Sequence, residues 1–212
     1  AVNSMEAVEL DRGGCASQIL CTTCHNPHVV GPNAGSPDRI EHIDACTSCH
    51  ATLQDPDVAR QHSGHAADTA SCLDCHMPRI VQSFEVYNRS HRISSPSEPE
   101  ILATGMPNAC NLCHLDRSLG WTRDRLRDLW GADVRLSPRL AGLHGKTFER
   151  PAGEAWLEHS FSMVRTVAAG AYTRSPLGSQ ALPALIDHLR EPNAYVRLRF
   201  LMAVERLIGR RL

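Results

Sequence analysis

Four copies of one five-residue spelling, Cys-x-x-Cys-His, recur in this chain. They are CTTCH (Cys21, Cys24, His25), CTSCH (Cys46, Cys49, His50), CLDCH (Cys72, Cys75, His76) and CNLCH (Cys110, Cys113, His114). Together they place eight of the nine cysteines, so they constrain the fold more than any other feature. A lone Cys-x-x-Cys pair suits a redox dithiol or half of a zinc site, but neither chemistry calls for a histidine after the second cysteine every time. Covalent haem does: each thiol adds across a vinyl group, and the following histidine ligates the iron. The spelling therefore implies four covalently attached haem c groups.

The remaining histidines are His28, His42, His62, His65, His91, His144, His159 and His188. Four six-coordinate irons need four of them as distal ligands. Two imidazoles on opposite faces of one iron hold their Cα atoms farther apart than three residues of extended chain reach, about 11 Å. His28 in CTTCHNPH therefore cannot cap the iron of His25 and must serve another haem, with Pro27 stiffening the link. By the same reasoning His62 and His65 in QHSGH serve different haems. His91, in the polar stretch NRSHRISSP, completes the expected distal set of His28, His62, His65 and His91, with His42 as the alternative. His144, His159 and His188 are expected to be ordinary helix-surface histidines, and Met77 and Met106 packing residues.

At 212 residues the chain fits one large or two small domains, yet only 5% of it is aromatic. From Cys21 to His114 there is little apolar periodicity. The porphyrins are therefore expected to form most of the core there, wrapped by loops, and that half should collapse without haem. The formal charge of −1 falls to about −5 with four ferric haems and their ionised propionates, which excludes a nucleic-acid partner. All 22 basic residues except Lys146 are arginine, whose planar fork suits carboxylate pairing. No apolar run approaches the eighteen or so residues of a membrane span. Haem c is attached outside the cytoplasmic membrane, so the opening AVNS is expected to mark a mature start after signal removal. Cys15 has no Cys-x-x-Cys partner and is expected to be a buried or free thiol.

After His114 the chain reads as helices. LGWTRDRLRDLW sets Leu119, Leu126, Leu129 and Trp130 on one face, and GEAWLEHSFSMVRTVAAG does the same with Trp156, Met163, Val164 and Val167. GADVRLSPRLAGLHGKTFERPAG between them is expected to be a loop. SQALPALIDHLREPNAYVRLRFLMAVERLIG predicts two amphipathic helices, the first presenting Leu182, Leu185, Ile186 and Leu189, with a break at Pro192 and Asn193 as cap. The fold class expected is mainly α with much irregular loop. A haem-cored cytochrome domain over 1–117 would precede an α-helical, HEAT-like region over 118–212. A single such repeat cannot bury its own faces, so it should dock on the haem region or on a neighbouring subunit.

The order CTTCHNPH, CTSCH, QHSGH, CLDCHMP, SHR and GMPNACNLCHLDRSLGW resembles a class of multihaem c-type cytochromes that often carry tetratricopeptide or HEAT-like repeats. The resemblance spans residues 21 to about 121. It implies a periplasmic or extracellular electron carrier with closely stacked, bis-histidine haems, arranged like those of pentahaem nitrite reductase and its relatives. The histidine cluster here is thinner than in such chains, and His42 is not part of their pattern. Redox proteins or further copies of this chain, stacked head to tail in a filament, are the expected partners. The competing expectation is a nitrite- or hydroxylamine-type reductase with one open haem. All four motifs end in His, however, and none in the Lys that marks the catalytic haem of the pentahaem enzymes.

Overall fold

The computed structural model describes residues 5–28, 40–66, 68–82 and 87–212; the opening AVNS lies outside them. The fold is mainly helical with irregular loops, as expected. It divides into two compact units, residues 1–78 with 89–95 and residues 79–88 with 96–212.

The first unit is built of short helices: α1 (Glu6–Asp11), α2 (Cys21–Cys24), α3 (Ile40–Cys49), α4 (Pro56–Ser63) and α5 (Cys72–His76). Sequence signals set their ends. The Asp55 carboxylate accepts from the Asp57 and Val58 amides at the start of α4, with Pro56 in the first turn. Gly64 ends α4 in the left-handed region (φ 69°), turning the chain between His62 and His65. Burial is the notable property here. Among the described residues Leu73 is the only apolar side chain of this unit that is buried, while Leu20 stands 72% exposed. One buried leucine contributes roughly 2 kcal/mol, far below the ordering cost of so many residues.

The second unit opens with a two-residue antiparallel pair, β1 (Val81–Gln82) and β2 (Tyr87–Asn88). It continues through α6 (Pro99–Ala103), α7 (Ala109–Cys113), α8 (Leu119–Trp130), α9 (Ala141–His144) and α10 (Ala152–Leu157), then α11 (Ser162–Tyr172), α12 (Gly178–Asp187) and α13 (Ala194–Ile208). Here there is a conventional core, in which Leu102, Leu115, Trp156, Leu185 and Phe200 are fully buried. α11 packs against α10 and α13, α12 packs against α13, and α7 packs against α8, α10 and α11. Asn193 caps α13 by accepting from the Tyr195 and Val196 amides.

Several local expectations need correction. Leu119 and Leu126 are buried, but Leu129 is 54% and Trp130 41% exposed, because the last turn of α8 runs past the core. GEAWLEHSFSMVRTVAAG is two helices rather than one, broken after Leu157, where the Phe161 amide donates to His159 Nδ1 instead of continuing the helix. Leu185 is buried while Ile186 is 49% exposed. The expected loop after α8 contains α9, whose last residue, His144, is completely buried rather than on the surface. His188 stacks on Phe200 with ring centroids 4.3 Å apart.

Candidate functional site

Each Cys-x-x-Cys-His motif occupies one helical turn, which for CTSCH is the last turn of α3. The amides of His25, His50 and His114 each donate to the carbonyl of the first cysteine of their motif at 2.9 Å. Residues three apart on such a turn share a face, so both thiols of a motif stand side by side with the histidine following. Side chains start the turns: the Leu20 amide donates to Thr23 Oγ1, the Ser71 amide to the Asp74 carboxylate, and the Asn111 amide to Asn108 Oδ1. None of the nine cysteines forms a disulfide.

Three of the motifs lie in the first unit, where α3 packs against both α2 and α5. Their thiols converge. Burial, followed by the proximity of Cys72, Cys24 and Cys15, pushes the Cys46 thiol up to about 11. Cys24 is raised by burial and then by Cys15 and Cys21. The ninth cysteine, half-buried Cys15, is thus a neighbour of two motif thiols.

The histidines of this unit come together across the sequence. His62 and His76 have parallel rings (10°) with centroids 6.1 Å apart. His25 and His91 stand at the same 6.1 Å, tilted by 34°. Two imidazole–metal bonds of about 2.0 Å in line, plus the half-width of each ring, set centroids about 6 Å apart, so both pairs have the spacing that a metal between them imposes. His42, 93% buried with its Nδ1 unpartnered, meets His25 edge-on at 5.1 Å, a T-shaped contact rather than an in-line pair. The His25 ring is held below the usual histidine range by burial and then by His42 and His91.

Backbone carbonyls orient two of these rings. His76 Nδ1 lies 2.9 Å from the Ser94 carbonyl, and His65 Nδ1 lies 2.8 Å from the Ser63 carbonyl. A ring that donates its Nδ1–H to a carbonyl keeps the Nε2 lone pair for a metal.

Arg89, Asp74 and Glu9, which sequence reasoning passed over, hold the stretch 89–95 in place. Arg89, 95% buried, pairs with Asp74 of the third motif at 2.8 Å and donates to the Met77 carbonyl. Burial pushes the Asp74 carboxyl up, but the Ser71 amide and Arg89 outweigh it and hold it below the ordinary carboxylate range. Glu9 accepts from the His91 amide at 2.7 Å and from the Ser90 hydroxyl. The visible signal was only the Ser-His-Arg segment itself.

His28 and His50 are exposed and make no ring contact among the described residues. The fourth motif lies in the second unit. There the His114 ring faces Trp121 at 5.0 Å, and Arg117 lies over the indole. Buried Asn111, inside CNLCH, ties this turn to α8. Its Oδ1 accepts from Thr122 Oγ1 at 2.7 Å, and its Nδ2 donates to the His114 and Arg117 carbonyls.

Motif turns, paired imidazoles and oriented rings together form a recognisable set. Residues 51–130 match the family model Cytochrome c552. The Cytochrome c552 stretch contains the third and fourth motifs, His62, His65, His91 and all of α8. The similarity supports a multihaem c-type cytochrome with covalently bound haem, and a role in haem-based electron transfer or nitrite reduction. No curated protein and no solved structure matches the chain. Among the described residues no helix is long and apolar enough to cross a membrane.

Proposed function

We propose that this chain transfers electrons outside the cytoplasmic membrane through four covalently bound c-type haems. The observation that carries the reading is the third motif. Cys72 and Cys75 share one turn, His76 is oriented by the Ser94 carbonyl, and His62 stands parallel to it at 6.1 Å. Bound haem would supply the one-electron Fe(III)/Fe(II) couple.

The chain's own residues do the rest. Cys72 and Cys75 would take the thioethers, and His76 and His62 would be the imidazoles that hold the iron. Cys21, Cys24, His25 and His91 make the corresponding set for the first motif. Cys46, Cys49 and His50 hold the second, and Cys110, Cys113 and His114 the fourth, with His28 and His65 as their distal ligands. His42 packs against His25 as a positioning residue in this scheme. Residues 1–117 carry the haems, and 118–212 form the helical region, in which α12 and α13 make a HEAT-like pair. Paired ligands close both faces of an iron to substrate, which favours a carrier. A head-to-tail filament, in which a distal imidazole comes from the next copy, extends the same reading.

A haem count with low-temperature EPR of the ferric protein tests this. Four haems, all low-spin, are expected. His62→Ala should turn the haem at Cys72 and Cys75 high-spin, His91→Ala that at Cys21 and Cys24, and His28→Ala one other than the latter. A stoichiometric high-spin signal in the unaltered protein would instead favour the nitrite- or hydroxylamine-type reductase.

A further inference from the structure

Beyond His114 the chain is pinned before it enters α8. The Gly153 and Ala152 amides donate to the Leu115 and Arg117 carbonyls, and Ser118 pairs with Pro151 in an antiparallel bridge. The Gly120 amide donates to the Phe148 carbonyl, whose oxygen stands only 3.0 Å from where a Cβ on Gly120 would lie. Ser118 Oγ caps the helix by accepting from the Trp121 amide at 3.1 Å. Leu119, Gly120 and Thr122 are buried, and Thr122 Oγ1 donates to Asn111 Oδ1 within the motif at 2.7 Å. The backbone that carries Trp121 is therefore fixed relative to the turn that carries Cys110, Cys113 and His114.

The half-buried indole lies against the His114 ring, with centroids 5.0 Å apart and planes at 50°. The Arg117 guanidinium stands 5.9 Å from the indole centroid, within cation–π range. Packing of the second unit does not account for an indole here, because Trp121 is no part of the apolar core that takes in Leu115, Leu119, Leu126 and Trp156. Its ring contact is with the histidine instead. The last torsion of a histidine is broad and roughly two-fold, so the plane of an imidazole is set by what surrounds it. At His76 and His65 a backbone carbonyl does this from the ring nitrogen; at His114 a rigidly mounted indole flanks the ring.

We propose that Trp121 is a positioning residue for His114, holding the imidazole in one rotation about its bond to the iron of the haem at Cys110 and Cys113. The inference rests on the haem reading of the fourth motif. It adds a residue outside the attachment spelling that tunes this centre, since the orientation of an axial imidazole governs how its π orbitals meet the iron d orbitals.

The test uses the full holoprotein and low-temperature EPR of its ferric form. Subtracting the spectrum of a Cys110→Ala/Cys113→Ala variant isolates the fourth centre. That variant should carry one haem fewer, and an unchanged count would defeat the haem reading of the motif itself, separately from the role of Trp121. In the unaltered protein the fourth centre should give one narrow feature at its largest g value. Trp121→Leu should keep the haem count but lose that narrow feature to a broad one, as the freed ring takes several rotations. Trp121→Phe, which keeps a flat wall, should restore it, and the other centres should be unmoved in both variants. An unchanged line width in Trp121→Leu would overturn the proposal. So would equal broadening in Trp121→Phe, or loss of the fourth haem from Trp121→Leu, since the indole would then secure attachment rather than the orientation of the ring.

Discussion

His144 offers a quantitative test of the second unit. The ring is completely buried and neither nitrogen has a hydrogen-bond partner. Burial, followed by His159 and Arg150, lowers its pKa from 6.5 to about 4. The neutral ring is therefore the folded form, and between pH 6.5 and about 4 the unfolded chain binds a proton that the folded chain does not. Stability from this group is fully present above pH 6.5 and is lost as pH falls toward 4. At about 1.36 kcal/mol per pH unit the loss amounts to about 3 kcal/mol. His144→Leu keeps the apolar contacts and removes the proton site. Urea unfolding followed by far-UV circular dichroism, at pH 7 and pH 4, would give both stabilities for the unaltered holoprotein and the variant. The difference between them should move by about 3 kcal/mol in the variant's favour at pH 4, other titrating groups cancelling. A difference that does not change with pH would refute the reasoning.

Asn111→Leu should cost about 3 kcal/mol in the same assay, because it takes the acceptor from the buried Asn108 side-chain amide and the donor from two carbonyls, and leaves Thr122 only the Ser118 carbonyl. Asp74→Ala removes the ion pair with buried Arg89, and should lower stability by about 2 kcal/mol, less than for a fully enclosed pair because Asp74 is 37% exposed. Trp156→Phe removes a fully buried indole that donates to the Gly105 carbonyl at 2.8 Å, with an expected loss of about 2 kcal/mol by thermal melting. Expression without haem attachment should leave the first unit unfolded while α10 to α13 persist, which amide hydrogen exchange would resolve as protection confined to the second unit.

The helical turns at the Cys-x-x-Cys-His motifs were legible because haem attachment demands a fixed spelling within one turn. The imidazole pairs were not: spacing argues that His28 and His25 would serve different irons, but could not reveal that His91 lies beside His25 or His62 beside His76. Those pairings depend on Arg89, Glu9 and the Ser94 carbonyl, and bonds across the sequence leave no periodic trace. Helix faces were read well where the core continues, as at Leu119 and Leu126, and poorly at Leu129 and Trp130, where it ends. His144 was misjudged because a short helix between Gly- and Pro-containing stretches has too few residues to show a face.

The stretch 89–95 also bears on how the protein comes into being. His91 follows His25 by 66 positions, yet their rings stand 6.1 Å apart, so on the proposed coordination the first motif in chain order would be among the last to be completed. If thioether formation follows chain order, the first attachment site would wait with one imidazole until the segment beyond β2 arrives. Completion of the third motif would have the same dependence, through the Ser94 carbonyl that orients His76. A maturation factor acting on this chain would therefore release unfinished coordination at both sites, and a single late segment would close the two together.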